Sequence, residues 1–145
     1  MGLSVVGAVV LVGALVVATV VGLVLQRRSG RVRRAAPAED RPHGWDLAGV
    51  APEPDDRVLL LQLSSPICTP CARTREQLGA LAGDHPDVRH VEVDIAERPD
   101  VARALHVMRT PTTVAFDRAG AELLRVGGVP RRADLVAALP LEETR

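Results

Sequence analysis

The stretch Val58-Leu59-Leu60-Leu61-Gln62-Leu63-Ser64-Ser65-Pro66-Ile67-Cys68-Thr69-Pro70-Cys71 decides the fold. Its first six residues form a short apolar run, the pattern of a strand buried on both faces of a sheet. Ser64-Ser65-Pro66 ends the run. From Cys68 to Ala82 the period becomes helical. Leu78, Leu81 and Ala82 share one face, and Arg73, Arg75, Glu76 and Gln77 lie mostly on the other. Gly83 and Pro86 close that helix. A buried strand thus runs into a helix that carries two cysteines in its first turn.

That placement has chemical consequences. A thiol at a helix N-terminus meets unpaired backbone N–H groups and the positive end of the dipole, which favour the thiolate, the attacking species. Cys68 is nearer the helix start and is the expected exposed nucleophile. Cys71, one turn later on the same side, can resolve a mixed disulfide formed by Cys68. Pro70 falls in the first turn, where a missing N–H costs little. These are the only two cysteines, and at this spacing they cannot staple a distant loop. Two other readings stay open. Cys68, Cys71, His85 and His90 spell C-x2-C-x13-H-x4-H, a loose zinc-ligand pattern. Pro86 after His85 and a strand-like setting for His90 disfavour it, since finger histidines sit a turn apart on a helix. The cysteines could also be two inert buried thiols.

Downstream, Val91, Val93 and Ile95 alternate within Val88 to Ile95, as in a strand. Pro99 suits a helix start, with Val101, Ala104 and Leu105 as its apolar stripe. Thr112 to Asp117 and Glu122 to Val126 read as strands joined through Arg118-Ala119-Gly120 into an antiparallel hairpin. Gly127-Gly128 breaks the chain, and Arg131 to Leu139 reads as a last helix. The order strand, helix, strand, helix, strand, strand, helix predicts an α/β fold, a mixed central sheet flanked by helices. Thr110-Pro111 is a second marker. A proline opening a strand cannot donate to the ladder, and cis X–Pro bonds occur at such junctions, although a trans bond is commoner.

Taken together, strand–Cys-x-Pro-Cys–helix, then Thr110-Pro111-Thr112, then a hairpin and Gly127-Gly128 before a last helix, resemble the thioredoxin family over residues 57 to 140. The resemblance implies a thioredoxin-like fold and dithiol–disulfide exchange with protein thiols and disulfides, fed by an upstream thiol reductase or other electron donor. No cofactor and no metal are implied. By position, Cys68 is similar to the family's attacking cysteine and Cys71 to its resolving one. Pro111 resembles its cis-proline, Thr110 would offer backbone groups to a substrate peptide, and Ile67, Pro70, Gly128 and Val129 would line the apolar substrate face. Three positions depart from the pattern. Ile67 stands for a usual Trp, Gln62 for a buried Asp, and Glu92 for the Lys paired with that Asp. An acid missing from one strand thus reappears on its neighbour. The expectation is that Glu92, hydrogen-bonded to Gln62, transfers protons for Cys71, with burial raising its pKa toward neutrality. The family's first strand and helix lack a clear counterpart, which the segment around Trp45 could in part replace.

The chain upstream is of a different kind. Leu3 to Leu25 carries no charge, and Ser4 and Thr19 are its only polar side chains. At ~1.5 Å per residue such a helix crosses a hydrocarbon layer of about 30 Å. A cleaved signal peptide would want a basic residue before a shorter run. Here none precedes it, and Arg27, Arg28, Arg31, Arg33 and Arg34 follow. Residues 1-25 are therefore expected to be a retained single-pass anchor in the cell membrane. Gly7, Gly13 and Gly22 lack GxxxG spacing, so no helix dimer is expected. The flanking arginines predict a cytoplasmic-facing soluble part, the alternative being an extracytoplasmic one.

Residues 26-55 read as an Arg/Pro-rich linker with too little apolar content for a core, apart from Trp45, Leu47 and Val50, which could dock on the domain. Residues 56-141 are the expected thioredoxin-like domain and 142-145 a tail. All 18 basic residues are arginine, formal net charge is zero, and Trp45 and Phe116 are the only aromatics. Neither a strong basic field nor stacking rings point to nucleic acid. The leading function is a membrane-tethered oxidoreductase, expected to work as a reductase in a reducing cytoplasm. The alternatives are a non-catalytic thioredoxin-like binding module and the zinc site.

Overall fold

The structure, a computed structural model, describes residues 2–28, 30–35 and 43–141. Its elements in chain order are α1 (Gly2–Arg28), β1 (Val32–Arg34), α2 (Gly44–Ala48), β2 (Val58–Ser64), α3 (Thr69–Asp84), β3 (Val88–Asp94), α4 (Pro99–Ala104), β4 (Thr112–Asp117), β5 (Glu122–Gly127) and α5 (Arg132–Ala138). The strands form one sheet in the order β1-β5-β4-β2-β3. Only the β2–β3 pair is parallel, as a strand–helix–strand crossover requires.

The apolar run of β2 is central and buried along its whole length. Its side chains alternate between two cores. Leu59, Leu61 and Leu63 pack with Val93, Val114 and Phe116 beneath α2 and α4, which add Trp45 and Val101. Val58 and Leu60 pack with Val88, Ala115 and Leu124 beneath α3 and α5, which add Leu78, Leu81 and Leu135. The result is three layers, helix–sheet–helix. Each fully buried Leu contributes roughly 1.5–3 kcal/mol, so β2 is the spine of both cores.

Two parts of the expected linker belong to the domain. Val32–Arg34 form an edge strand in register with Leu124–Val126 of β5. Gly44–Ala48 form a short helix whose Trp45 is 1% exposed and donates Nε1–H to Asp117 O at 2.9 Å. Gly44 lies on the Phe116 ring, where a Cβ would clash. The sheet and its core thus reach upstream of residue 56, with Trp45 docked as expected. The apolar content of 26–55 is too low for a core of its own, but an edge strand and one large ring need only a neighbour to pack on. Residues 29, 36–42 and the expected tail 142–145 lie outside the described residues. In α1, Val6–Leu25 has mean hydropathy 2.9 and is exposed throughout, long and apolar enough to cross a membrane. A signal sequence near an N-terminus shares that property.

Candidate active site

The strand directions bring one end of the sheet together. The C-terminal ends of β2, β3 and β5 and the N-terminal ends of β4 and β1 all lie there, since Ser64 pairs with Asp94, Leu63 with Thr112, Thr112 with Gly127, and Val32 with Val126. Cys68 is the N-cap of α3 at this end, with extended backbone (φ −95°, ψ 94°). Its N–H donates to Ser65 O at 3.2 Å, and Cys71 N–H donates to Cys68 O at 3.1 Å. This tight turn holds the cysteines with Cα atoms 5.4 Å apart, and they are joined as a disulfide. Cys68 is half-buried, whereas Cys71 is 2% exposed. Pro70 is exposed in the first turn of α3, and Ile67 is 96% exposed.

The Thr110–Pro111 peptide is cis. Thr110 Oγ1 lies 3.1 Å from Ser65 Oγ, which ties this loop to the cysteine loop. Pro111 O accepts from Gly128 N–H at 2.8 Å, which brings in the end of β5. Pro111 is buried, and Thr110, Gly128 and Val129 are half-buried. The structure thus gathers Cys68, Thr110, Pro111 and Gly128 into one linked surface, with Ser65 as the connector that sequence reasoning missed. Its place directly before Pro66 was the only signal for it.

Beneath Cys71 lies a polar floor. Gln62 continues the Val58–Leu60 row toward α3 and is fully buried. Its Nε2 donates to Cys71 O at 3.0 Å and to Glu92 Oε1 at 3.2 Å. Both amide hydrogens are thereby used. Gln62 Oε1, 3.1 Å from His90 Nε2, can only accept, so His90 carries a proton on Nε2. Glu92 stands opposite Gln62 in register and pairs with Arg75, whose Nη2 is 2.9 Å from Oε1. His90, considered above only as a metal ligand, faces Gln62 from β3, and His85 caps the C-terminus of α3. Arg75 was also missed, though its position four residues after Cys71 places it on the same helix face.

One expectation is corrected. Glu92 was expected to have a raised pKa, but its pKa is lowered. The hydrogen bond from Arg75 is the main cause and outweighs the opposing effect of burial. The carboxylate is half-buried and already paired, so it stays ionised near neutral pH. His90 is lowered as well, chiefly by burial, against the opposing pull of Glu92. A groove of about 500 Å³ opens beside the disulfide, lined by Cys68, Cys71, Arg75, Glu92, Asp94 and Glu97. It gives water a path that touches both Cys71 and Glu92.

The Thioredoxin family model matches residues 50–140. Thioredoxin H2 of Arabidopsis thaliana is 31% identical over 87 residues, 60% of this chain and 65% of that protein. NADPH-dependent thioredoxin reductase 3 of the same plant is 34% identical over 80 residues, 54% of this chain and 15% of that protein. The chain therefore spans less than two thirds of the length of either relative. Among solved structures, Fasciola hepatica thioredoxin superposes with a TM-score of 0.51 at 25% identity, covering 57% of this chain and 79% of that one. Oxidized mitochondrial thioredoxin 3 from Saccharomyces cerevisiae gives 0.50 at 28% identity, covering 57% and 76%.

Proposed function

Because the chain belongs to the thioredoxin family, we propose that it is a membrane-tethered thiol–disulfide oxidoreductase that works as a protein-disulfide reductase. The observation that carries this reading is a half-exposed Cys68 bonded to a buried Cys71 at the head of α3, beside Thr110–Pro111. In the reduced chain the Cys68 thiolate attacks one sulfur of a substrate cystine. A mixed disulfide forms, and the first substrate thiolate leaves. Cys71 then loses its proton and attacks Cys68 Sγ. The Cys68–Cys71 disulfide closes, and the second substrate thiol is released. Two electrons pass to the substrate, and an upstream dithiol donor restores the pair. The likeness to part of a thioredoxin reductase supports a donor of that class.

In this reading Thr110 presents backbone groups to an extended substrate segment, Pro111 shapes the floor on which it lies, and Ile67, Pro70, Gly128 and Val129 supply apolar contact. Glu92 passes the Cys71 proton through groove water. Being ionised, it holds that proton only in passing, and Gln62 keeps it in place. Residues 3–25 anchor the chain, and the arginines after them favour a cytoplasmic domain. The test is reduction of a soluble protein disulfide by the full chain in vesicles, with the dithiol supplied chemically. Wild type should turn over and Cys68→Ser should not; equal rates would sink the assignment. Glu92→Gln should slow the step and alter its pH profile, and an unchanged profile would remove Glu92 from the proton path. Labelling of reduced Cys68 by an impermeant thiol reagent on intact cells reports the face.

A further inference from the structure

The tether joins the domain at the catalytic end of the sheet. β1 starts there, and Gly30 N–H donates to Gly127 O at 2.6 Å. Gly30 has φ +80°, and a Cβ at this position would run into Val129 O, so a side chain is excluded from this junction. Only residue 29 stands between it and the end of α1 at Arg28. From Leu25, the last apolar residue of the span, the helix adds about 4.5 Å of rise. Two further Cα steps add at most about 7 Å. Gly30 thus lies within about 12 Å of the hydrocarbon edge, and the headgroup layer itself takes up about 5–8 Å of that. The cysteine loop on β2 is three strands across, about 14 Å to the side.

The same edge carries the matching charge. A groove of about 210 Å³ between β1, β5 and the loop before β4 is lined by Arg31, Arg33, Arg109, Arg125 and His106. Arg125 is engaged by Glu122. Among the described residues no carboxylate lies within ion-pair reach of Arg31, Arg33 or Arg109. Gly127 makes room for Arg109, since a Cβ there would stand 2.6 Å from its Nη2. Met108, 95% exposed, lies on the same groove. The opposite edge, beyond the disulfide, presents Asp94 and Glu97 instead, with Glu92 neutralised by Arg75. The catalytic end is therefore basic where the tether enters and acidic on the far side.

We propose that this end of the sheet faces the membrane, its β1 edge seated on anionic phospholipid headgroups through Arg31, Arg33 and Arg109, so that the disulfides it exchanges are those a partner holds close to the membrane surface. The proposal rests on α1 being a membrane span and on the oxidoreductase reading. Acidic Asp94 and Glu97 tilt their edge away from the anionic surface. That leaves the Cys68 side open to a partner rather than pressed onto lipid.

The test uses the full chain in vesicles of phosphatidylcholine and phosphatidylglycerol, with two single-span peptides as substrates. One carries its cystine directly after the span, and the other lifts it about 40 Å on a stiff helical spacer. The near cystine should be reduced at least tenfold faster. A catalytic end pointing away, across a domain about 30 Å deep, would reverse that order. A long Gly/Ser segment inserted between Arg28 and Gly30 should bring the two rates together. Arg31→Gln with Arg33→Gln should narrow the ratio in these vesicles and leave it unchanged in pure phosphatidylcholine. Equal rates in the parent chain, a ratio untouched by the insertion, or an arginine effect independent of lipid charge would each overturn the proposal. Reduction of a soluble disulfide by the same samples, and flotation with the vesicles in carbonate, show separately whether the enzyme and the anchor readings stand.

Discussion

Cys68 and Cys71 lie three positions apart on one helix, yet they occupy unlike surroundings. Around Cys68 is a lip of exposed or half-buried groups, with Ile67, Pro70 and Thr110 reaching solvent. Around Cys71 is a polar floor, where the carbonyl of the cysteine itself is held by Gln62 and, through it, linked to Glu92 and His90. The lip is built from loops and the first turn of α3, and the floor from two neighbouring strands. The contrast shows how one residue type is divided into two tasks: backbone geometry sets the sulfur spacing, and burial decides which sulfur an outside molecule meets first.

The sharpest way to break that contrast is to remove each sulfur in turn. Cys68→Ser should abolish exchange, while Cys71→Ser should accumulate a mixed disulfide with substrate, visible by mass spectrometry under non-reducing conditions. Like behaviour of the two variants would dissolve the distinction. Next in size, Gln62→Leu strips the floor. It leaves Cys71 O and His90 Nε2–H without their partner, and the chain should lose about 1–3 kcal/mol of stability for a buried group so orphaned. Urea unfolding read from Trp45, the single tryptophan and 1% exposed, measures it.

A smaller effect separates floor from lip by pH. His90 and Glu92 both have folded-state pKa values below their unfolded ones. Each therefore contributes stability that is whole above its unfolded pKa and lost as pH falls toward the folded value. Stability should decline first below about pH 6.5 for His90 and again below about pH 4.3 for Glu92. In unfolding curves taken across pH, Glu92→Gln should flatten the lower limb and, by removing the charge that opposes burial at His90, steepen the upper one. The smallest effect belongs to the lip: Ile67→Ser should raise KM for a protein disulfide about fivefold, as for the loss of roughly 1 kcal/mol of apolar contact, with kcat unchanged. A fall in kcat instead would place Ile67 in the chemistry.

Much of this was legible in the residues. The β2 run and the helical period after Cys68 were strong because both elements are buried against two neighbours, which imposes pattern along the whole segment. The Gln62–Glu92 contact was expected from the family resemblance, because the two positions answer to the family's paired Asp and Lys, and the β2–β3 register bears it out. What escaped was of another nature. Val32-Arg33-Arg34 shows no period because three residues of an edge strand turn only one side chain, Val32, toward the core and leave Arg33 and Arg34 exposed. α2 is five residues long, too short to show a stripe, and only the apolar Trp45, Leu47 and Val50 pointed to docking, which they do. The pKa of Glu92 was misjudged because burial was inferred from the strand, while Arg75, which decides it, lies on a helix whose rotation relative to the strand no single segment reveals.

The edge position of β1 has a practical consequence for anyone who would trim the chain into a soluble fragment. A cut at residue 56 would strip the last strand from the sheet, baring the outer backbone donors and acceptors of β5 to other molecules. It would also empty the site filled by Trp45. Such a fragment would clump and melt early for reasons unrelated to its sulfur chemistry. A cut just before Gly30 keeps all five strands and the ring in place.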